Sequence, residues 1–433
     1  MLPPDGAVTA ILKERVDSGR SSGIVVGLAQ RAGRRVVAYG NAGPAGKPLD
    51  GDSVFEIGSV TKVFTAALLA DMVRRGEVKL DDPVSKFLPP TVRVPARKGK
   101  QITLLDLATQ TSGLPRVPAN MTPKDRQNPY ADYSVQQMYD FLSHYELPRD
   151  IGEKYEYSNL GFGLLGHALA LKSGMSYEEL LRKRILEPLG MKDTAIILSP
   201  AMRARLAPGH DAAGAAAANW DLPALAGAGA LRSTVNDMLK FLAANLGAGE
   251  GPLGPALQET HRIRHATDNS DMDIGLAWQV FHNFGTDLVW HNGGTGGYHS
   301  WIGFVKSRGT GAVVLADSAA SIDDIGFHLL QRRFPLAKPP KQRREVTLDS
   351  KVLDAYVGEY RLSPSFSIKV TRKGNALFIE ATGQSPLPIF AESETEFFVK
   401  AVDAQITFVK EKSRVTKLVL HQYGKDLPGP KIK

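Results

Sequence analysis

The sequence predicts an α+β protein, in which an α/β core carries an inserted all-α subdomain and is followed by a small all-β domain. β-rich runs near the N-terminus are separated from further β-rich runs at 275–316 by a long stretch of helical and loop-rich sequence. Strands and helices grouped in this way are typical of α+β folds rather than of alternating βαβ units. A chain of 433 residues also exceeds one ordinary core, which favours two or three domains.

The N-terminal elements follow from periodicity and turn signals. Residues 5–18 are predicted as a helix because their apolar positions share one face. Residues 23–30 and 34–39 are β-rich, and Ala32-Gly33 between them predicts a hairpin. The segment after Ser59 is a helix that is apolar on nearly all sides, which implies burial in a large domain.

The remaining core elements are predicted in the same way, from apolar periodicity, capping residues and β-rich composition. In chain order they are helices over 160–171, after Ser176 and from Ser233 or Thr234, strands over 275–281, 287–291, 300–305 and 311–316, and a closing helix over 322–334.

The composition changes at 337–341, where a basic, proline-bearing stretch is typical of a linker. We expect a large N-terminal domain at 1–336, with its all-α part at about 59–225, a linker at 337–345 and a separate domain at 346–433. Short alternating strands at 367–371, 376–381, 405–409 and 415–421 predict a small antiparallel barrel or sandwich for that last domain.

Composition excludes several function classes. The net charge is +8, but the basic residues are scattered except at 93–100 and 338–344, where no aromatic residues are interleaved. We therefore expect no nucleic-acid partner. The chain has no cysteine, which excludes disulfides, thiolate catalysis and cysteine-bound zinc. No apolar run is long enough for a transmembrane helix, and no signal peptide is visible.

A hydroxyl and an amine lie three residues apart at the start of the buried helix, at Ser59 and Lys62. Positions i and i+3 share a helix face, so Lys62 can reach the Ser59 hydroxyl. A desolvated lysine beside the helix dipole loses its proton more easily, which favours a serine nucleophile. The alternative is that Ser59 caps the helix and Lys62 is solvated, and so short a pattern does not decide between them.

Two distant segments supply the other groups that acyl transfer requires, a second proton carrier and donors for an oxyanion. Tyr157-Ser158-Asn159 starts the helix predicted at 160–171 and brings a phenol and an amide. The glycine-rich segment 291–297 follows a β-rich run. Its glycines allow a substrate to lie against backbone N–H groups.

Taken together, residues 59–62 (Ser-Val-Thr-Lys), 157–159 (Tyr-Ser-Asn) and 291–293 (His-Asn-Gly) resemble the three motifs of the serine β-lactamases and penicillin-binding proteins. They are most similar to the class C β-lactamase branch, which also contains D-alanyl-D-alanine carboxypeptidases, D-aminopeptidases and esterases. Residues 107–115, 187–191 and 229–234 resemble that branch too. The resemblance covers roughly 10–335 and implies an α/β sandwich with an antiparallel sheet, while the tail more weakly resembles a lipocalin-like domain.

The resemblance implies a role for each motif residue. Ser59 would be the nucleophile and Lys62 its partner. Tyr157 would be the general base of acylation and the acid for the leaving group, Asn159 would orient the substrate, and His291 would contact the substrate carboxylate or tune Tyr157.

The third motif and Asn159 together make up the implied substrate-binding set, which includes Asn292, Gly293 and Gly294. Backbone N–H groups of Ser59 and Gly294 would form the oxyanion hole. No cofactor or metal is implied.

The expected function is therefore that of a serine hydrolase acting through a Ser59 acyl-enzyme on D-amino-acid peptides or β-lactams. The third motif of β-lactamases usually begins with lysine, whereas His291 is mostly neutral near pH 7, which weakens the expectation of strong β-lactamase activity. An esterase using the same residues and a non-hydrolytic penicillin sensor remain alternatives. Family likeness favours an extracytoplasmic bacterial setting, the lack of a visible signal favours the opposite, and the oligomeric state stays open.

Several other patterns have simpler structural explanations. Tyr39-Gly40-Asn41 is interpreted as a turn, and Lys172-Ser173-Gly174 as a helix C-terminus. The glycines of 161–166 match a dinucleotide fingerprint, but no strand precedes them, so helix packing is the better explanation.

His261 and His265 lack the partners of a zinc site, and His144 and His210-Asp211 are not needed beside Lys62. The three tryptophans Trp278, Trp290 and Trp301 are expected in the core, whereas Arg116 and Tyr130 are candidates for the mouth of the cleft.

Overall fold

The computed structural model describes residues 2–30, 33–42, 46–247, 251–282, 285–337, 345–363, 366–382, 386–400, 404–412, 414–422 and 425–432. The chain divides into two units, Met1–Ala337 and Lys338–Lys433. Two calls, the turn residue Ala32 and most of the predicted linker at 337–345, lie outside the described residues.

The first unit contains helices and strands in mixed order. The helices are α1 (Asp5–Asp17), α2 (Thr61–Arg74), α3 (Leu104–Ala108), α4 (Val135–His144), α5 (Asn159–Ser173), α6 (Tyr177–Leu181), α7 (Pro200–Arg203), α8 (Ala226–Gly229), α9 (Val235–Asn245), α10 (Gly254–Thr260) and α11 (Asp323–Leu330). The strands are β1 (Gly23–Gln30), β2 (Gly33–Gly40), β3 (Val54–Glu56), β4 (Ala96–Arg97), β5 (Lys100–Gln101), β6 (Arg232–Thr234), β7 (His265–Ala266), β8 (Met272–Ile274), β9 (Gln279–Phe281), β10 (Leu288–Gly294), β11 (His299–Val305) and β12 (Thr310–Ala316).

An antiparallel sheet in the order β2-β1-β12-β11-β10-β9-β8-β7 forms the centre of this unit. Strand β1 shows how both of its faces are covered. Ile24, Val26 and Leu28 belong to a core shared with α1 and α11, whereas Val25 belongs to the larger core on the other face. On that second face Gly27 lies so close to α9 that an added Cβ would come within 2.6 Å of Val235. This two-layer covering confirms the predicted α/β sandwich with an antiparallel sheet.

The helical subdomain lies between β3 and β6 in sequence and packs around α2. Helices α5 and α8 approach closely because glycines face each other: a Cβ on Gly166 would come within 2.9 Å of the Gly227 Cα. Gly174 ends α5 in the left-handed region, with φ +69°. The glycines of 161–166 and the Lys172-Ser173-Gly174 segment therefore serve packing and helix termination, as predicted.

The second unit contains one short helix and an antiparallel sheet. Its elements are α12 (Ser350–Asp354), β13 (Gly358–Ser363), β14 (Phe366–Lys373), β15 (Ala376–Ala381), β16 (Leu387–Ala391), β17 (Glu396–Val399), β18 (Ala404–Glu411), β19 (Arg414–Gln422) and β20 (Lys425–Pro430). Consecutive strands pair throughout, and a bridge from Tyr360 in β13 to Lys431 brings the first strand to the last. The result is a nearly closed all-β barrel with its own apolar core.

Some predicted elements were wrong in extent. The strand predicted over 275–281 is a strand only in β9, at its end; residues 275–278 form the turn that joins β8 to β9, and Ala277 in this turn has φ +63°. The closing helix predicted over 322–334 ends at Leu330. In the second unit β13, β16, β17 and β20 were missed, because short strands that end in turns leave little alternation to detect.

Candidate active site

Ser59 lies in the single 3₁₀ turn Gly58–Val60, which leads directly into α2. Every residue of α2 from Thr61 to Met72 is buried, whereas Ser59 itself is half-buried. The helix therefore presents one hydroxyl from its N-terminal end to the edge of the core. Free backbone N–H groups and the positive end of the helix dipole lie at the same place.

The Lys62 side chain is fully buried and reaches back to Ser59. Its Nζ lies 3.0 Å from Ser59 Oγ, 2.9 Å from Asn159 Oδ1 and 2.7 Å from the Ala228 carbonyl oxygen. Burial, together with the nearby charge of Arg116, holds the pKa of Lys62 well below its usual value. The Asn159 and Ala228 oxygens can each accept one N–H bond of a neutral amine, which leaves the nitrogen lone pair for the Ser59 hydroxyl.

Tyr157 completes this group, because its hydroxyl lies close enough to Ser59 to interact with it. The Tyr157 ring centroid lies 4.7 Å from Lys62 Nζ and 4.9 Å from Arg116 Cζ. Burial raises the pKa of Tyr157, although the Ser59 hydrogen bond and the Arg116 charge act in the opposite direction. The phenol therefore holds its proton near neutral pH and is placed to donate it.

The segment carrying Tyr157 is held by Gln110 and by a helix cap. The Gln110 carbonyl accepts a hydrogen bond from Glu156 N at 2.7 Å, and its Oε1 accepts one from Ser158 N, also at 2.7 Å. Gln110 is buried and has φ +62°, a conformation that costs a non-glycine residue about 1–3 kcal/mol. Ser158 Oγ accepts from Gly161 N at 2.8 Å and so caps α5.

His291 lies in β10 on the same side as the Ser59 group, with its ring centroid 6.4 Å from that of Tyr157. Its side chain is only 1% exposed, and its Nδ1 donates to the Asn292 carbonyl at 2.5 Å. Burial, followed by the nearby Lys62, lowers the pKa of His291 to about 3. The imidazole is therefore neutral and supplies no fixed positive charge.

The rest of the third motif contributes backbone rather than side chains. A Cβ on Gly293 would lie 2.1 Å from the Ile57 carbonyl oxygen and 2.8 Å from Ser59 N, so β10 runs directly against the turn carrying Ser59. A Cβ on Gly58 would lie 2.9 Å from Gly294 N. The backbone nitrogens of Ser59 and Gly294 consequently flank the same region.

The expectation for Asn292 needs correction. Its side-chain Nδ2 donates to Asp323 Oδ2 on α11 at 2.6 Å. Because successive strand residues point to opposite faces, this amide lies on the face of the sheet away from His291. Asn292 therefore braces α11 and does not bring its side chain to the Ser59 group.

The structure places two further aromatic residues beside this group. Tyr130 OH accepts a hydrogen bond from Asn159 Nδ2 at 3.2 Å, and the Tyr130 ring lies 5.4 Å from that of Trp220. Arg116 and Tyr130 were thus usefully singled out, whereas Trp220 and the Ala228 carbonyl were missed. A main-chain acceptor leaves no signature in residue types, and Trp220 lies in an alanine-rich segment without a motif.

The remaining candidate residues lie elsewhere. Tyr39 OH contacts Lys13 and Asp17 on α1, and His261 Nε2 lies 2.7 Å from Asn245 Oδ1. His210 Nδ1 contacts the Asp317 carbonyl.

The other histidines and tryptophans also serve the fold. His144 Nδ1 bonds the Asp140 carbonyl within α4, and His265 lies on β7. Trp278 and Trp301 are fully buried and Trp290 is half-buried against Trp301, as expected for core residues.

Comparison with known proteins identifies the family. A family model described as Beta-lactamase matches residues 8–331, and one described as a domain of unknown function (DUF3471) matches residues 342–429. The second match supports a separate C-terminal domain but does not support the lipocalin-like resemblance. Among the described helices, none combines the length and apolar character that a membrane crossing requires.

The similar proteins include a peptidase, a penicillin-binding protein and a β-lactamase of known structure. The D-alanyl-D-alanine-carboxypeptidase/endopeptidase AmpH of Escherichia coli K12 is 32% identical over 277 residues, covering 61% of this chain and 71% of that protein. Penicillin-binding protein 4* of Bacillus subtilis is 25% identical over 410 residues, 88% of each chain. A class C beta lactamase structure from Rhodobacter sphaeroides has a TM-score of 0.64 at 26% identity, covering 73% of this chain and 95% of that one.

The motif resemblance is thereby confirmed at the level of the family: the chain belongs to the beta-lactamase family, and it is a serine hydrolase.

Proposed function

We propose that this protein hydrolyses amide or ester bonds through an acyl-enzyme on Ser59, with D-amino-acid peptides or β-lactams as its substrates. One observation carries the proposal: Ser59 Oγ is contacted at once by Lys62 Nζ, at 3.0 Å, and by the Tyr157 hydroxyl. A nucleophile within hydrogen-bond reach of both a base and an acid is the arrangement that acyl transfer needs.

In the acylation step, Ser59 Oγ attacks the substrate carbonyl carbon and its proton passes to Lys62 Nζ. The lowered pKa of Lys62 supplies the neutral amine that this step requires. The oxyanion that forms lies between the backbone N–H groups of Ser59 and Gly294, whose developing hydrogen bonds stabilise it. This assignment makes Lys62, rather than Tyr157, the acylation base.

The tetrahedral intermediate then collapses. The bond from the carbonyl carbon to the leaving nitrogen or oxygen breaks, and that atom takes the proton of the Tyr157 hydroxyl. The proton held on Lys62 then returns to the Tyr157 oxygen, which restores both groups. In deacylation a water attacks the ester, gives up a proton to the same pair, and Ser59 leaves with a proton restored.

The substrate class follows from the relatives and from the neutral third motif. AmpH and penicillin-binding protein 4* bear names of a D-alanyl-D-alanine peptidase and a penicillin binder. His291 offers no cation, so β-lactams that depend on a third-motif lysine are expected to be poorer substrates than D-alanyl peptides.

Covalent labelling tests the nucleophile. Ser59→Ala is expected to abolish turnover and labelling by both a fluorescent penicillin and a fluorophosphonate. Ser307→Ala, which changes an exposed serine, is the matched control and should label as the wild type does. Label on the Ser59→Ala protein, or unchanged turnover, would refute the proposal.

An esterase is the second candidate, and the neutral His291 favours it because an ester substrate needs no carboxylate partner. Turnover of p-nitrophenyl butyrate, nitrocefin and a D-alanyl p-nitroanilide separates the two. Intact-mass measurements over time address a penicillin sensor: a stable penicillin adduct supports the sensor, and a transient one supports the hydrolase.

A further inference from the structure

Arg116 is an exposed cation beside the proposed proton donor. Its Cζ lies 4.9 Å from the Tyr157 ring centroid. Its backbone is fixed, because the Arg116 carbonyl accepts hydrogen bonds from Asn159 N at 2.9 Å and Leu160 N at 3.3 Å. Within the described ranges the guanidinium forms no hydrogen bond or ion pair with another side chain, so its donors are available to a ligand.

The other basic groups near Ser59 are already committed. Lys62 Nζ has three protein oxygens around it and a pKa that is strongly lowered. Arg232 is 7% exposed and contacts both Glu56, at 3.1 Å, and Asp221, at 3.0 Å. Arg116 is therefore the fixed positive charge that a substrate meets at Tyr157.

The flank beside Gly294 carries an acidic side chain instead of a basic one. A Cβ on Gly294 would lie 3.9 Å from His299 Nδ1. His299 Nε2 in turn lies 2.9 Å from Asp323 Oδ1, and Asn292 holds the other oxygen of that carboxylate. The charged side chain held on this flank is thus an acid, on the face of β10 away from Ser59, and not a cation.

We propose that Arg116 binds a carboxylate on the leaving group of the substrate, in place of the cation that the third motif lacks. This inference rests on the proposed function, since it takes Tyr157 as the donor to the leaving atom. A guanidinium against the Tyr157 ring reaches substituents on that atom, and its planar donors match a carboxylate with two parallel hydrogen bonds. The substrate class so defined is an acyl donor whose departing part ends in a free carboxylate, as a C-terminal amino acid does.

A pair of thioesters that share one acyl group tests the inference. The probes are N-benzoyl-D-alanyl thioglycolate, whose leaving group carries a carboxylate, and its methyl ester, whose leaving group is neutral. The readout is the ratio of kcat/KM for the acid to kcat/KM for the ester. Arg116→Gln is expected to lower this ratio about tenfold or more, chiefly through the KM of the acid, and Arg116→Lys is expected to lower it less.

The ratio separates recognition from a structural role. If Arg116 only supports Tyr157, both thioesters lose activity alike, the ratio stays unchanged, and the inference is overturned. Arg126→Gln, an exposed arginine in the same loop, is the control and should leave the ratio at its wild-type value. Raised salt should also lower the wild-type ratio, because the guanidinium is exposed. A wild-type protein that turns over neither thioester would refute the proposed function itself, and this inference with it.

Discussion

Lys62 Nζ lies 3.0 Å from Ser59 Oγ across one turn of a helix that is buried from Thr61 to Met72. The short distance follows from the three-residue spacing along the chain, whereas the lowered pKa of Lys62 follows from its burial. Asn159 Oδ1 and the Ala228 carbonyl take the two N–H bonds of a neutral amine, so the lysine is held ready to accept a proton. The same spacing on an exposed helix would leave a charged lysine that cannot act as a base.

Tyr157→Phe should lower kcat by about 10²-fold or more, the usual range for loss of a general acid. Phenylalanine keeps the ring against Lys62 and Arg116 but removes the hydroxyl beside Ser59. Steady-state kinetics on a D-alanyl anilide measure the effect. Tyr139→Phe removes a hydroxyl bonded to His167 instead and should keep wild-type turnover, while a loss of tenfold or less in Tyr157→Phe would point to another acid.

The pH profile of kcat/KM should rise as Lys62 loses its proton and fall as Tyr157 loses its own. The rise is expected below pH 10.5, the ordinary pKa of a lysine, because burial lowers the pKa of Lys62. The fall is expected above pH 10.0, the ordinary pKa of a tyrosine, because burial raises the pKa of Tyr157. His291, with a pKa of about 3, should add no limb near 6.5. A limb at that pH that disappears in His291→Gln would contradict this assignment.

Two neighbouring glycines should respond very differently to alanine. Gly293→Ala places a Cβ 2.1 Å from the Ile57 carbonyl and 2.8 Å from Ser59 N, so the turn must shift and the labelling rate of Ser59 should fall about 10²-fold. In the matched Gly294→Ala the added Cβ meets His299 Nδ1 and the Tyr298 carbonyl oxygen, both at the ordinary contact distance of 3.9 Å, and this variant should label within a few-fold of wild type. Equal rates for the two variants would show that this close approach is unimportant.

Acid should destabilise the protein through its buried histidines. Burial lowers the pKa of His261 to about 3, so the unfolded chain, with an ordinary value of 6.5, binds the extra proton between these two pH values. The free energy of unfolding therefore falls as pH drops through this window, by up to about 1.4 kcal/mol per pH unit for one histidine. Urea titrations of wild type and His261→Gln should show a shallower fall in the variant, and identical slopes would exclude this contribution.

Residues 1–337 should fold without the C-terminal unit. The two larger cores of the first unit draw on residues up to Leu336, and the core of the second lies between Val346 and Leu420. A protein truncated after Ala337 is expected to unfold cooperatively and to label at Ser59. An aggregated fragment or one without label would contradict the independence of the two cores.

The sequence was most informative where local geometry determines contact. The spacing of Ser59 and Lys62 fixes their proximity through helix periodicity alone. Tyr157 required the family resemblance, because nothing local relates residues so distant in the chain. The face of the sheet to which Asn292 points depends on strand register, which the residue type does not reveal. The turn at Ala277 depends on a positive φ, which alanine rarely adopts, so the sequence gives no sign of it.

Gln110 extends the site beyond the residues that meet substrate. Its main chain and its amide accept hydrogen bonds from the backbone on either side of Tyr157, and its own backbone has an unfavourable positive φ. The orientation of the Tyr157 hydroxyl therefore depends on Gln110, a buried residue that does not itself contact the substrate. Variants that accept new acyl donors should therefore be sought first at position 110. A small change in the backbone there would move the Tyr157 hydroxyl without replacing Ser59, Lys62 or Tyr157.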